Sequence, residues 1–331
     1  YVQPPELTAV EWWLPADVLE CWRRDEIRLS TPVSYVLHSF ARLGPTDSQT
    51  RICHPPQGDD GRAPFIEPRP GMTVIPLRTA TLPPATHTNC VTVGWPHLAI
   101  IDPGPTDPEQ QVLLRRRLED FQTLGFRPAL ILLTHGHSDH TGAVETLCSA
   151  YNIPVCGHPL LADRFAGFDF RPLQDNEVIE IPHPSRLWRI RTLYTPGHCP
   201  DHVAFLEETT GTLVTGDLVS NPGTILISPD HGGDMTAYLQ SLEHLLTLPA
   251  FTMLVPAHGW PLNEREGREL IARTCDHRIE RENGIRAALA EGAATMDALL
   301  ARAYADVSPD AWPLARLQAR AHLARLGVNL E

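Results

Sequence analysis

Thr134-His135-Gly136-His137-Ser138-Asp139-His140-Thr141-Gly142 follows the apolar run Ala129–Leu133 and precedes a helical pattern. Extended backbone points alternate side chains to one side, so His135 and His137 face the same way. Asp139 falls where the helix begins, with His140 directly after it. Four ligand-type side chains therefore converge on a strand-end loop. Imidazole nitrogens with a carboxylate suit zinc, iron or manganese alike. A histidine-rich surface loop is the bland alternative. With 16 histidines in 331 residues, chance assembly of H-x-H-x-D-H is on the order of a few in a thousand, which disfavours it.

Three later stretches have the same form. Thr195-Pro196-Gly197-His198, Leu213-Val214-Thr215-Gly216-Asp217 and Val255-Pro256-Ala257-His258-Gly259 each place one His or Asp just past a short apolar strand. Site residues of layered α/β folds gather at such strand ends. Around them, ten candidate strands between Thr73 and Val255 alternate with helical patterns at Pro108–Leu124, Thr141–Tyr151 and Met235–Leu246, which indicates an α/β layered domain. After His258 the pattern is helical: Asn263–Ala290, Thr295–Tyr304 and Ala311–Leu326.

Taken in order, H-x-H-x-D-H, PGH, GD and AHG resemble the metallo-β-lactamase superfamily, in its glyoxalase-II-like and lactamase-β-2-like branch. The resemblance covers about Met72 to Gly259. Thr88-Asn89 ahead of a strand and Ile101-Asp102-Pro103-Gly104 also resemble that family's opening strands and its I-D-x-G turn. The resemblance implies a four-layer αββα sandwich and two divalent ions, zinc foremost, with iron or manganese as alternatives. It assigns His135, His137 and His198 to the first ion. Asp139, His140 and His258 go to the second, and Asp217 bridges the two. Asp102 would brace the histidine loop from behind. Two ions about 3.5 Å apart hold a bridging hydroxide, and Asp139 would orient the water or take its proton. A carboxylate at Asp217, rather than the Cys or non-ligand of β-lactam-degrading members, points to the esterase, thioesterase and nuclease branches.

The intervals narrow this further. Only 40 residues separate Asp217 from His258, too few for the large insert of the nucleic-acid-processing endonucleases. Asn221–Asp234 and the helices after Gly259 resemble the lactamase-β-2-like group, which implies a small winged-helix-like domain over 262–331, with any wing hairpin short. His277 and Arg278 could reach substrate anions, although a solvated helix face with an Arg278–Glu282 pair at i,i+4 is the stronger reading. His231, in a glycine-bearing loop before Asp234, is a pocket candidate. Cys199 reads as a pocket-wall residue rather than a nucleophile.

Residues 1–43 carry candidate helices at Pro15–Arg24 and Thr31–Leu43. Pro5-Glu6-Leu7, Glu11-Trp12-Trp13-Leu14-Pro15 and Ser30-Thr31-Pro32 resemble the end of a Nudix domain. The catalytic Nudix box is absent, so no Nudix chemistry is expected. Residues 44–71 are rich in Pro, Gly and Asp and read as a linker, leaving 72–261 as the catalytic domain.

Formal net charge is −13, from 40 acids against 27 bases, which repels polyanions at long range. Seven scattered cysteines without a CxxC pair read as reduced thiols of a cytoplasmic protein. No apolar run approaches the ~20 residues of a membrane span. The expected function is hydrolysis of a small-molecule ester or thioester by a dinuclear metal centre. A single-strand endoribonuclease acting on RNA is the second reading, and a mononuclear iron persulfide dioxygenase the third. A homodimer is compatible with all three.

Overall fold

The computed structural model describes residues 12–24, 26–27, 33, 36–37, 40–41, 44–46, 63–184, 187–249 and 251–330. Helix α1 (Pro15–Arg23) comes first, followed by strands β1 (Ile66–Arg69), β2 (Met72–Arg78), β3 (His87–Val93) and β4 (His97–Ile101). Helix α2 (Pro108–Thr123) crosses over to β5 (Arg127–Leu132), which lies parallel to β4. The Asp107 side chain caps α2 by accepting from the Glu109 amide at 2.8 Å. Helices α3 (Ser138–Thr141) and α4 (Val144–Tyr151) lead to β6 (Val155–Gly157), and β7 (Phe170–Pro172) ends the first sheet, ordered β1 to β7.

The second sheet begins with β8 (Val178–Pro182), β9 (Leu187–Tyr194), β10 (Val203–Glu207) and β11 (Thr212–Val214). A two-residue strand β12 (Ser220–Asn221) and helix α5 (Met235–Thr247) follow, then β13 (Met253–Val255), β14 (His258–Gly259) and β15 (Leu262–Asn263). Strand order is β15-β13-β11-β10-β9-β8, with β12 and β14 paired separately. Helices α6 (Glu264–Ala290), α7 (Met296–Ala303) and α8 (Trp312–Leu326) complete the chain.

Strand β2 shows why four layers form. Its residues are apolar on both faces, as strands covered on both sides must be. Met72 and Val74 pack between the sheets against Ile190 and Phe205, while Ile75 and Leu77 turn outward onto Leu114, Leu118 and Leu147 of the helices. On the far side, Leu193, Ala204 and Leu213 pack against Tyr238 and Leu242 of α5 and Ile271 of α6. The result is the expected α/β/β/α sandwich. Trp188 lies fully buried in the inter-sheet layer, where truncation to Ala would cost about 3–5 kcal/mol.

Several boundaries depart from the sequence reading. The stretch read as a linker, 44–71, contains β1, which pairs with β2, and Ala63 is buried in the core beside Leu114. The first sheet thus starts inside that stretch; a four-residue strand with a proline gives too short a pattern to detect. Most of the Nudix-like piece, including Thr31–Leu43, lies largely outside the described residues. The helix read at Thr141–Tyr151 is two helices, α3 and α4, broken where Gly142 presses on Pro105: a Cβ there would sit 2.5 Å from the Pro105 carbonyl carbon. The C-terminal region is helical with its own core of Ile285, Leu299, Leu300, Ala319 and Leu323. Among the described residues no strand follows Asn263, so a wing hairpin is not part of it.

Candidate metal centre

Parallel strands deliver the site. Asp102 follows β4 and His135 to His140 follow β5. Asp217 follows β11 and His258 follows β13. His198 arrives on the β9–β10 turn. Two close backbone approaches bring these loops together. A Cβ on Gly104 would lie 2.0 Å from the Asp139 carbonyl oxygen, and one on Gly197 (φ +134) would lie 2.2 Å from the Cα of Tyr238.

Behind the histidine loop, Asp102 is 2% exposed and accepts three hydrogen bonds. The Thr134 amide donates to Oδ1 at 2.8 Å. The Thr134 hydroxyl donates to Oδ2 at 2.6 Å, and His140 Nδ1 donates to the same oxygen at 2.8 Å. Asp102 has φ 50, a left-handed conformation that Asp and Asn tolerate best among side-chain-bearing residues.

Potential ligand atoms fall in two groups, His135, His137, His198 and Asp217, and Asp139, His140 and His258, each group within 4.8 Å. Ligands around a tetrahedral ion at zinc–nitrogen distance lie about 3.3–3.4 Å from one another. In the first group, His137 Nδ1 is 3.0 Å from His135 Nε2 and 2.9 Å from His198 Nε2, and Asp217 Oδ2 is 3.5 Å from His198 Nε2. In the second, Asp217 Oδ1 lies 3.4 Å from His140 Nε2 and 3.3 Å from His258 Nε2. Asp139 Oδ2 is 3.7 Å from His258 Nε2.

Proton counting fits the residues to ions. The Thr134 hydroxyl spends its hydrogen on Asp102, so toward His135 Nδ1, 3.1 Å away, it can only accept. His198 Nδ1 donates to the Leu226 carbonyl at 3.0 Å, and His258 Nδ1 to the His87 carbonyl at 2.9 Å. In its neutral form, each of these rings therefore turns a bare Nε2 inward. His137 Nδ1 meets two such lone pairs with at most one proton to share. His140 Nε2 and Asp217 Oδ1 are buried without a hydrogen-bond partner; their 3.4 Å approach is an electrostatic contact, not an aligned hydrogen bond. Buried polar atoms left this way carry a desolvation penalty that a cation would remove.

Taken by themselves, the imidazoles divide into two sets. Burial, then the neighbouring His140, holds His135 well below the usual imidazole range. Burial with nearby His198 brings His137 down to about 4, and burial also lowers His198. These three stay neutral, as ligands must. Burial opposes charge on His140 and His258 too, but Asp102 and Asp217 outweigh it at the first and Asp217 at the second, raising both. Burial would lift Asp217, yet His140 and His258 hold it well below the carboxylate range.

The structure also supplies supporting roles that sequence reasoning missed. His202 is fully buried; its Nε2 accepts the Asp217 amide at 3.0 Å, and its Nδ1 pairs with the Thr195 hydroxyl at 2.9 Å. Burial, and then His198, lowers it to about 3. Its only sequence signal is its place four residues past His198. Asp201 accepts the Gly136 amide at 2.7 Å. Asn89 ties β3 to the His258 loop, donating to the Pro256 carbonyl at 2.9 Å and the Gly259 carbonyl at 2.7 Å.

A cavity of about 170 Å³ opens over the cluster, walled by the 80–85 turn, the 223–228 segment and His231. Cys199 is buried, and burial with Asp201 raises its thiol, which leaves it unreactive. His277 is exposed on α6. Arg278 is 1% exposed and bonds to Thr224 and Ile225, so the solvated Arg278–Glu282 face is not what forms. Glu282 is buried and pairs instead with Arg286, Arg325 and His322.

The sequence profile described as "Metallo-beta-lactamase superfamily" matches residues 86–258, more than half of the chain. Lactamase-like protein nscB of Aspergillus fumigatus is 34% identical over 173 residues, 52% of this chain and 48% of that protein. Hydroxyacylglutathione hydrolase of Halorhodospira halophila is 30% identical over 201 residues, 60% of this chain and 72% of that protein. The chain thus spans about half the length of the first relative and more of the second. Among solved structures, a beta-lactamase domain protein from Burkholderia ambifaria superposes with a TM-score of 0.66 at 22% identity, covering 83% of this chain and 90% of that one, a likeness of fold.

Proposed function

Because this chain belongs to the metallo-beta-lactamase superfamily, we propose that it is a dinuclear metal-dependent hydrolase of a small ester or thioester. One observation carries the reading. Asp217 turns one oxygen to each ligand group, Oδ2 toward His198 at 3.5 Å and Oδ1 toward His140 and His258 at 3.4 and 3.3 Å, the disposition a bridge requires. His135, His137 and His198 would hold one ion, Asp139, His140 and His258 the other. Two divalent cations, when bound, acidify water and act as Lewis acids toward an acyl oxygen.

The chain's own contribution is positioning and proton transfer. Asp139 reaches the cavity with its side chain 16% exposed, so it can orient a water and accept its proton. Leu82, Pro83, Pro84, Ile225 and Leu226 line the walls and keep bulk water from the reacting acyl group. Asp102 and Leu226 hold the imidazoles in the tautomers that leave their Nε2 atoms free.

Substrate class follows from charge. No arginine is among the described wall residues and the chain carries a net −13, which favours an acyl substrate over the RNA polyanion. The relative named hydroxyacylglutathione hydrolase supports the same class, since an acylglutathione is a thioester. We assign the catalytic unit to about 63–275, which takes in β1, β15 and the covering face of α6, and treat the helices that share the Ile285 core as an appended helical region.

The test is a panel of acyl thioesters, aryl esters and single-stranded RNA on metal-replete protein, with metal content measured. Thioester or ester turnover that falls about 10²–10⁴-fold in Asp139→Asn is expected. RNA cleavage with inert thioesters would reverse the ranking. One iron per chain with persulfide oxidation would remove the dinuclear reading.

A further inference from the structure

The 224–228 segment walls the cavity yet belongs to no helix or strand. It also has a duty at the metal centre, because the Leu226 carbonyl accepts from His198 Nδ1 at 3.0 Å. What holds that carbonyl in place comes from the far end of the chain. Arg278 of α6 donates through Nη2 to the Thr224 hydroxyl at 2.6 Å and to the Ile225 carbonyl. Gln318 of α8 accepts the Ile227 amide at 3.1 Å. The residues on either side of Leu226 are thus gripped by two different helices. Ile225 and Ile227 are buried in the same cluster as Ile271 and Cys275 of α6 and Ala321 of α8.

The Arg278 contact is costly to build. Its side chain is 1% exposed, and its guanidinium lies over the Tyr238 ring at 5.5 Å. No carboxylate pairs with it among the described residues; Glu282, one turn along, is taken by Arg286, Arg325 and His322. A buried charge used to fix a loop backbone, instead of an ion pair, adds little to net stability. It defines one position of the loop.

We infer that Arg278 and Gln318 are positioning residues for the metal centre: by holding 224–227 they set the Leu226 carbonyl that orients His198, so the C-terminal helices govern how tightly the first ligand group binds its ion. The inference rests on the metal-centre reading above. It also accounts for Arg278, which points into the protein and away from substrate.

The experiment is a zinc titration against a chromophoric chelator, using the whole chain as wild type, Arg278→Met, Arg278→Lys, Gln318→Met and Arg281→Ala. Arg281 sits on the same helix and pairs with Asp306, away from the segment, so it reports mere loosening of the helices. Loss of an outer partner of a ligand histidine weakens metal binding about 10–100-fold. That loss is expected for one of the two equivalents in Arg278→Met and Gln318→Met, with partial recovery in Arg278→Lys and wild-type affinity in Arg281→Ala. In the metal-free chain, the Ile227 amide should exchange faster in Gln318→Met. Wild-type affinity in folded Arg278→Met and Gln318→Met overturns the inference, as does equal weakening in Arg281→Ala. If Arg278→Met does not fold, Gln318→Met alone decides. Absence of zinc binding by wild type would sink the metal-centre reading itself, whereas absence of hydrolase activity with these affinity changes intact would leave this inference standing.

Discussion

Asp102→Asn tests whether a residue that touches no ion nevertheless decides which imidazole nitrogen is free. The substitution preserves shape, and Asn tolerates φ 50 as well as Asp does, so the backbone is not perturbed. Oδ1 continues to accept the Thr134 amide. The new amide nitrogen faces the Thr134 hydroxyl, which can rotate to accept, and His140 Nδ1, which lies 2.8 Å from Oδ2 in the native protein. Two donors cannot face each other. His140 must give up its Nδ1 proton and carry it on Nε2, the atom aimed at Asp217, where a proton blocks ligation. Two charge-assisted bonds at about 1.5–3 kcal/mol each are exchanged for neutral ones at about 0.5–1.5. A net loss of about 2 kcal/mol corresponds to roughly 30-fold in affinity, within the range for outer partners of metal ligands. Metal titration should therefore show one equivalent weakened about 30-fold, and nitrogen NMR of His140 should report the switched tautomer. Two equivalents bound at wild-type affinity, with Nδ1 still protonated, would refute the reasoning.

Chelation should lower the thermal midpoint by several degrees, because each ion present at 100 times its Kd adds about 2.7 kcal/mol; an unchanged midpoint in calorimetry would count against resident ions. Gly197→Ala drives a methyl into the Tyr238 backbone, so denaturant titration should show a loss of about 1–3 kcal/mol or more. His322 supplies a pH dependence. Burial, partly opposed by the Glu282 carboxylate, lowers it to about 4 in the folded chain against 6.5 in a free imidazole. The unfolded chain then binds the extra proton between those values, so the contribution is complete above 6.5 and lost as pH falls toward 4. Glu282 is also lowered: burial would raise it, but Arg286 and His322 outweigh that, so it too loses stability on acidification. His322→Gln should flatten the stability difference between pH 6.5 and 4 in paired melts; an unchanged slope would show that this imidazole does not titrate there.

The seven proposed ligand positions, which the fold brings into two groups, were legible because metal chemistry restricts residue type and because strand ends restrict spacing. H-x-H-x-D-H needs only period-two geometry to bring His135 and His137 to one side, and Asp217 and His258 each announce themselves after a short apolar strand. Asp102 was legible only through the I-D-x-G turn. His202 was not, since an isolated His at the start of a strand carries no pattern, and its role is to receive the Asp217 amide at 3.0 Å. The linker reading of 44–71 failed for a similar reason: β1 is four residues long, and its place in the sheet is set by pairing with β2.

Arg278 divides the two kinds of information most clearly. From spacing alone it is half of a helix-surface ion pair with Glu282. In the folded chain it is buried, turned toward Thr224 and Ile225, while Glu282 belongs to three other partners. Local sequence determined which residues can ligate, the alternation of strands with helices, and that the α/β layers must be covered on both faces, since these depend on side-chain chemistry and on periods of two and 3.6. Tertiary structure decided which nitrogen of each imidazole is free, which loop backs each ligand and which helix face is buried. Those depend on contacts between residues tens of positions apart, where sequence spacing carries no geometry.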